Sequence, residues 1–144
     1  MTGTDAEPVP HEAHLGALAA LPSVGNATLR ILLTLGTPQD VWDLVRAGRV
    51  PTAVRSEMAP IVRTASHGWA TAARAVDPLQ QWERWRSRGI GVVSIGSPSY
   101  PQCLADDLDP PVVLFHRGDL DVLSAPRVAV IGTRRATGYG RRLT

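Results

Sequence analysis

Eleven residues near the C-terminus, Gly132 to Arg142, hold three glycines, two threonines and four arginines, with no acidic residue among them. They follow the β-branched run Val128-Ala129-Val130-Ile131, which Arg127 introduces. A buried strand that empties into such a loop is where doubly wound folds bind ligands, beside a helix N-terminus. The next helix is expected to start near Thr137 to Tyr139. Loop amides and its dipole then favour an anion, and Thr133 and Thr137 offer hydroxyl donors. Arg134 adds a fork that fits a phosphodiester in two-point fashion. No Gly-Lys-Ser/Thr follows, so the loop is not of the Walker A type. The spacing of Gly132, Gly138 and Gly140 is not G-x-G-x-x-G either. Nucleotide hydrolysis has no support here. A merely solvated loop would pair its arginines with acids, and residues 127–144 contain five arginines and none.

The other candidates read as structure. Leu21-Pro22-Ser23-Val24-Gly25 joins two helical patterns and is similar to the turn of helix-hairpin-helix DNA-binding modules, whose amides hold a phosphate. Ser23 stands where those turns carry glycine, and no basic residue lies within it, so a hairpin that packs two helices is preferred. Trp82 and Trp85, beside Leu79, form a core-facing stripe in preference to base-stacking platforms; Trp42 and Trp69 are packing residues. His11, His14, His67 and His116 lack metal spacing, and the first two fall in a frayed end. Asp106, Asp107 and Asp109 read as a solvated acidic turn. Cys103 has no base partner and is inert. No catalytic residue and no metal ligand is assigned.

The elements that must position the loop fall into two parts. From Glu12 to Arg74 the pattern is helical. Leu15, Leu18, Ala19 and Leu21 form a stripe ended by Pro22, and Leu29, Leu32, Leu33 and Leu35 form another ended by Gly36. Thr37-Pro38-Gln39-Asp40 is a helix start, with Thr37 as N-cap, proline in the first turn and Asp40 against the positive dipole end. Trp42, Leu44 and Val45 give that helix its apolar face, and Gly48 ends it. Residues 49–60 carry no clear pattern, and Ile61 to Val76 again reads as helical. Asp77-Pro78-Leu79-Gln80 repeats the cap, and its helix closes at Gly89. From there the period changes: 90–95, 112–116 and 128–131 are apolar runs that suit strands of a parallel sheet in an α/β domain. The expected domains are therefore 12–76, all helical, and 77–144, the start of a sheet domain.

Composition bounds the rest. The 144 residues are 44% hydrophobic and 19% charged, so a packed core is expected. A single cysteine excludes an internal disulfide framework. No segment approaches the ~20 apolar residues of a membrane span. Met1 to Pro10 lacks signal-peptide chemistry, so a cytoplasmic location is expected. Residues 1–126 hold ten arginines against thirteen acids, a net −3, while residues 127–144 carry +5. The fifteen basic residues are all arginine, a bias that GC-rich codon usage explains.

Four pieces occur in order: Tyr100-Pro101 before Leu104, the Pro110-Pro111 strand entry, the Arg117-Gly118-Asp119 turn, and Gly132-Thr133-Arg134-x-x-Thr137-x-Tyr139-Gly140. In this they resemble the DNA-processing protein A family (DprA, also called Smf). The helical part resembles that family's sterile-alpha-motif-like N-terminal domain, so the likeness covers about residues 12–144. The resemblance implies a sterile-alpha-motif or helix-hairpin-helix-like domain followed by a Rossmann-like parallel-sheet domain. It also implies a non-enzymatic function without a cofactor: binding single-stranded DNA without sequence preference and loading RecA in transformation and recombination. RecA and a second copy of the chain are the implied partners. Arg134 becomes the phosphate clamp, Gly132 allows close backbone approach, and Thr133 and Thr137 donate hydroxyls. Arg135, Arg141 and Arg142 are matched by charge alone. Only thirteen residues follow Ile131, where a βαβ unit takes ~30, so an N-terminal fragment is expected, with the family's dimer and RecA surfaces beyond it. The competing enzymatic reading is a Rossmann-like nucleotide-binding hydrolase of the lysine-decarboxylase-like type. Its Pro-Gly-Gly-x-Gly-Thr-x-x-Glu motif is absent from these residues. A third reading makes the helical part a protein-interaction module.

Overall fold

The computed structural model describes residues 10–126 and 128. Seven helices come first: α1 (His11–Ala19), α2 (Asn26–Leu33), α3 (Pro38–Arg46), α4 (Thr52–Ser56), α5 (Pro60–Ser66), α6 (Trp69–Arg74) and α7 (Pro78–Ser87). Strand β1 (Gly91–Ser94), the short helix α8 (Gln102–Ala105), strand β2 (Val113–His116) and a 3-10 turn (Leu120–Ser124) follow. The described residues are thus helix-rich with one small sheet.

Helix α1 lies at the centre. Ala13 to Leu18 are all buried, and six consecutive positions go more than once round a helix. The one-sided stripe expected from Leu15, Leu18 and Leu21 is corrected accordingly: α2 and α3 cover part of α1, while α7 and both strands cover the rest. His14, expected in a frayed end, is buried within this helix, and burial lowers its pKa despite the opposing pull of Asp43 and Asp77. Gly16 sets how closely α7 approaches. A methyl group there would sit 2.7 Å from Trp85 Cζ3, and Trp85 is in turn braced edge-on by Phe115, with centroids 5.0 Å apart at 75°. The largest fully buried side chains are Trp42, Trp69, Leu15, Leu18, Leu29, Leu32, Val41 and Val45.

The helix ends follow local chemistry. Thr37 and Asp40 form a reciprocal capping box: Asp40 N–H donates to Thr37 Oγ1 at 3.2 Å, and Thr37 N–H donates to Asp40 Oδ2 at 3.1 Å. Bonds from the Thr37 hydroxyl and amide hold the Asp40 carboxyl below its usual range. Asp77 Oδ1 accepts from Gln80 N–H at 2.9 Å and starts α7. Segment 61–76, expected to be helical, is divided at His67-Gly68 between α5 and α6. The break turns Trp69 into the core, where its indole N–H donates to the Pro22 carbonyl at 2.9 Å.

Strands β1 and β2 pair antiparallel, with Gly91 opposite His116, Val92 opposite Phe115, Val93 opposite Leu114 and Ser94 opposite Val113. This corrects the parallel pairing expected for the first two apolar runs. The chain between them folds back beside the strand ends, where Ile95 N–H donates to Val112 O at 2.9 Å. A parallel pair needs a crossover to the opposite end of the sheet. The third run, 128–131, lies outside the described residues apart from Val128.

Candidate functional site

Gly132, Thr133, Arg134, Arg135, Thr137, Arg141 and Arg142, the residues the sequence nominates for anion binding, lie outside the described residues, as does Arg127. The described chain does bring together the three sequence pieces that precede them. Tyr100 is buried, its hydroxyl donates to the Pro111 carbonyl at 2.7 Å, and burial pushes its phenol pKa up. The first piece is thereby tied to the second. Pro101 caps α8, where Gln102 Nε2 donates to Asp106 Oδ1 at 2.6 Å. In the third piece Gly118 takes a left-handed φ of +81° at the turn out of β2, a conformation with little steric cost for glycine. Asp119 then accepts the Asp121 amide at 2.9 Å and opens the 3-10 turn. Helix α8 and that turn meet across a cleft of about 220 Å³ lined by Tyr100, Cys103, Leu120 and Leu123. Arg117, in the same turn as Gly118, is exposed.

Asn26 and Arg30 on α2 hold this assembly to the helices, and the sequence reading missed both. Asn26 Nδ2 donates to Asp109 Oδ1 at 2.9 Å and to the Pro110 carbonyl at 3.2 Å, and its Oδ1 accepts from Val112 N–H at 2.8 Å. Arg30 donates to the same Pro110 carbonyl and lies 3.3 Å from Asp109 Oδ1. Asp109 is exposed, as its reading within a solvated acidic turn expects, and is in addition a tethered carboxylate. The hydrogen-bonded partners are 80 to 86 residues apart in sequence, so no local spacing signals them.

The remaining candidates separate. Ser23 has a φ of +62°, and the neighbouring Pro22 carbonyl is taken by Trp69, so the Leu21–Gly25 turn is engaged in packing. Trp85 packs on Phe115, whereas Trp82 carries the Arg86 guanidinium over its ring at 4.6 Å. Neither tryptophan is fully buried, so the stripe expected to face the core is a half-exposed one. Among the described residues, no three His, Cys, Asp or Glu side chains gather as metal ligands, and no helix is long and apolar enough to cross a membrane. What the described residues provide is a braced platform at the entry to an arginine-rich segment.

Comparison with known proteins bears on that segment. The family model for DNA recombination-mediator protein A matches residues 91–144. The DNA processing protein DprA of Bacillus subtilis (strain 168) is 32% identical over 93 residues, covering 58% of this chain and 31% of that protein. The DNA processing protein DprA of Streptococcus pneumoniae (strain ATCC BAA-255 / R6) is 43% identical over 49 residues, 34% of this chain and 17% of that protein. The aligned part is thus less than a third of either curated relative. No solved structure matches the chain.

Proposed function

Since this chain belongs to the DNA recombination-mediator protein A family, we propose that it serves DNA processing by binding single-stranded DNA through its backbone. The observation that carries this reading is the loop Gly132-Thr133-Arg134-x-x-Thr137-x-Tyr139-Gly140, inside the matched region and within an acid-free run of five arginines. In the proposal Arg134 clamps a phosphate, Gly132 lets the strand approach the backbone, and Thr133 and Thr137 donate hydroxyl hydrogen bonds. Arg135, Arg141 and Arg142 contribute charge. The chain acts without catalysis, and delivery of the strand to RecA, self-association and a cytoplasmic setting belong to the same reading. So does the division into a sterile-alpha-motif-like unit, 12–76, and the start of a Rossmann-like domain, 77–144, whose first two strands pair antiparallel.

The test is fluorescence anisotropy of the 144-residue chain with a homopolymeric single strand at two salt concentrations. Binding through phosphates weakens as salt rises. Arg134→Ala is expected to lower affinity for every sequence, by about 1–3 kcal/mol for one charge-assisted bond. Arg84→Ala is the charge-matched control, because Arg84 is exposed and bonded to Gln80 at 2.9 Å. Equal affinity and equal salt slope in the two variants would refute the clamp.

A further inference from the structure

A second concentration of positive charge lies far from the C-terminal loop in sequence. Averaged over residues 1–126 the net charge is negative, but residues 44–76 hold Arg46, Arg49, Arg55, Arg63 and Arg74 against the single acid Glu57. The fold gathers part of this set around one cleft. Arg55 on α4 and Arg63 on α5 line a cavity of about 380 Å³ with Thr52, Ser56, Ser66 and His67. A smaller cavity of about 100 Å³ adjoins it, sharing Arg55, Ser66 and His67, with Trp69, Val45 and Val50 also in its lining.

Three observations give the cleft its chemistry. First, Arg55 Nε is buried without a hydrogen-bond partner among the described residues. A buried N–H of a guanidinium left unsatisfied is costly, and an acceptor placed there removes that cost. Second, no carboxylate answers these arginines. Among the described residues the ion pair present is Arg30 with Asp109, and exposed Glu57 pairs with neither Arg55 nor Arg63. Third, the serine protons are directed elsewhere, Ser56 to Ala53 O at 2.6 Å and Ser66 to Arg63 O at 2.7 Å. Donors in the cleft therefore come from two guanidinium groups, with the Thr52 hydroxyl and the His67 ring beside them. Planar forks of this kind match tetrahedral oxyanions.

We propose that the α4–α5 cleft is a second phosphate site, held by Arg55 and Arg63, that takes a backbone phosphodiester of a nucleic-acid strand. That the cleft accepts a phosphate stands on its own residues. That the phosphate belongs to a nucleic acid rests on the proposed function above.

The experiment separates the two statements. Inorganic phosphate is titrated into the 144-residue chain and followed by amide ¹H–¹⁵N shifts, with sodium chloride at matched ionic strength as control. Phosphate is expected to shift amides between residues 52 and 67 saturably, with chloride leaving them in place. Arg63→Gln, an exposed change that spares the fold, should weaken this binding about tenfold, and adding Arg55→Gln should abolish it. Shifts that chloride reproduces, or that persist unchanged in Arg63→Gln, would overturn the site. A thymidine homopolymer is then the second probe, read by anisotropy. Arg63→Gln and Arg134→Ala should each weaken it, and the losses should add as for separate contacts. Each should lower the salt slope by roughly 0.7 per lost phosphate. Full strand affinity in Arg63→Gln would overturn the strand as the ligand of this cleft. Full affinity in Arg134→Ala, with loss in Arg63→Gln, would instead refute the loop and support the cleft.

Discussion

The helices from His11 to Arg74 and the segment from Gly91 to Ser124 are held by different forces. Every one of the largest fully buried side chains belongs to the first. The second buries Val92, Ser94, Tyr100 and Val112, and it is anchored by directional bonds: Asn26 and Arg30 to the 109–112 strand entry, Tyr100 to Pro111, and Ser94 Oγ to Glu12 at 3.3 Å. A nonpolar core resists deformation from many directions at once. A few hydrogen bonds fix a position but open one by one. The contrast shows how a short sheet that makes little core of its own borrows rigidity from a helical neighbour.

The strongest attempt to break this contrast is Trp69→Ala. It removes a fully buried indole and leaves the Pro22 carbonyl without its donor. Loss of about 3–5 kcal/mol in urea unfolding is expected, with amide protection falling in both regions together. Unchanged protection in residues 91–116 would show that the sheet does not lean on the helices. Asn26→Ala acts on the other side of the contrast. It strips the partner from the Val112 amide, so protection at Val112 and Ile95 should drop by about 1–3 kcal/mol while α3 and α6 keep theirs. A uniform drop across the chain would sink the idea of a local tether.

A pH series sharpens the account of α1. Burial lowers the His14 pKa, so the unfolded chain takes up a proton that the folded chain declines. Its contribution is fully present above the ordinary imidazole value of 6.5 and is lost as pH falls through the lowered folded value. The midpoint of urea unfolding should therefore fall as the solution is acidified through that window, and His14→Gln should flatten the dependence. An unaltered slope in the variant would assign it to other groups. The smallest effect is expected from Ser23→Gly. Ser23 holds a φ of +62°, which disfavours any residue with a Cβ. The change should raise stability by up to ~1 kcal/mol, since glycine's extra unfolded-state freedom offsets part of the relief. A lower melting temperature would mean that the serine hydroxyl matters more than the backbone.

Local chemistry was legible and distant pairing was not. The caps at Thr37 and Asp77 and the stops at Gly36, Gly48 and Gly89 follow from a few adjacent residues, and each stands where its spacing puts it. The break at Gly68 was hidden because the apolar pattern runs through it, and what demands the break is Trp69 reaching a carbonyl 47 residues away. Strand direction was hidden for a related reason: a continuous apolar run reports burial and says nothing of the partner's orientation. The arginines of 44–76 escaped notice because the acids elsewhere in 1–126 mask them in any average. The loop from Gly132 to Arg142 is read from residue types and order, and it lies outside the described residues.

Burial of α1 on all sides has a consequence for the order of events as the chain is made. One part of its surface is covered by α2 and α3, which follow within thirty residues, while α7, β1 and β2 come from 78–116. During N-to-C synthesis, Gly16 and its neighbours emerge before Trp85 and Phe115 and wait for them. Asn26 likewise waits for partners 83 to 86 residues downstream. Such separations make closure slow relative to helix formation. A growing chain therefore passes through an interval in which α1 presents an uncovered apolar side to whatever else is nearby, the condition that invites chaperone capture or misassociation.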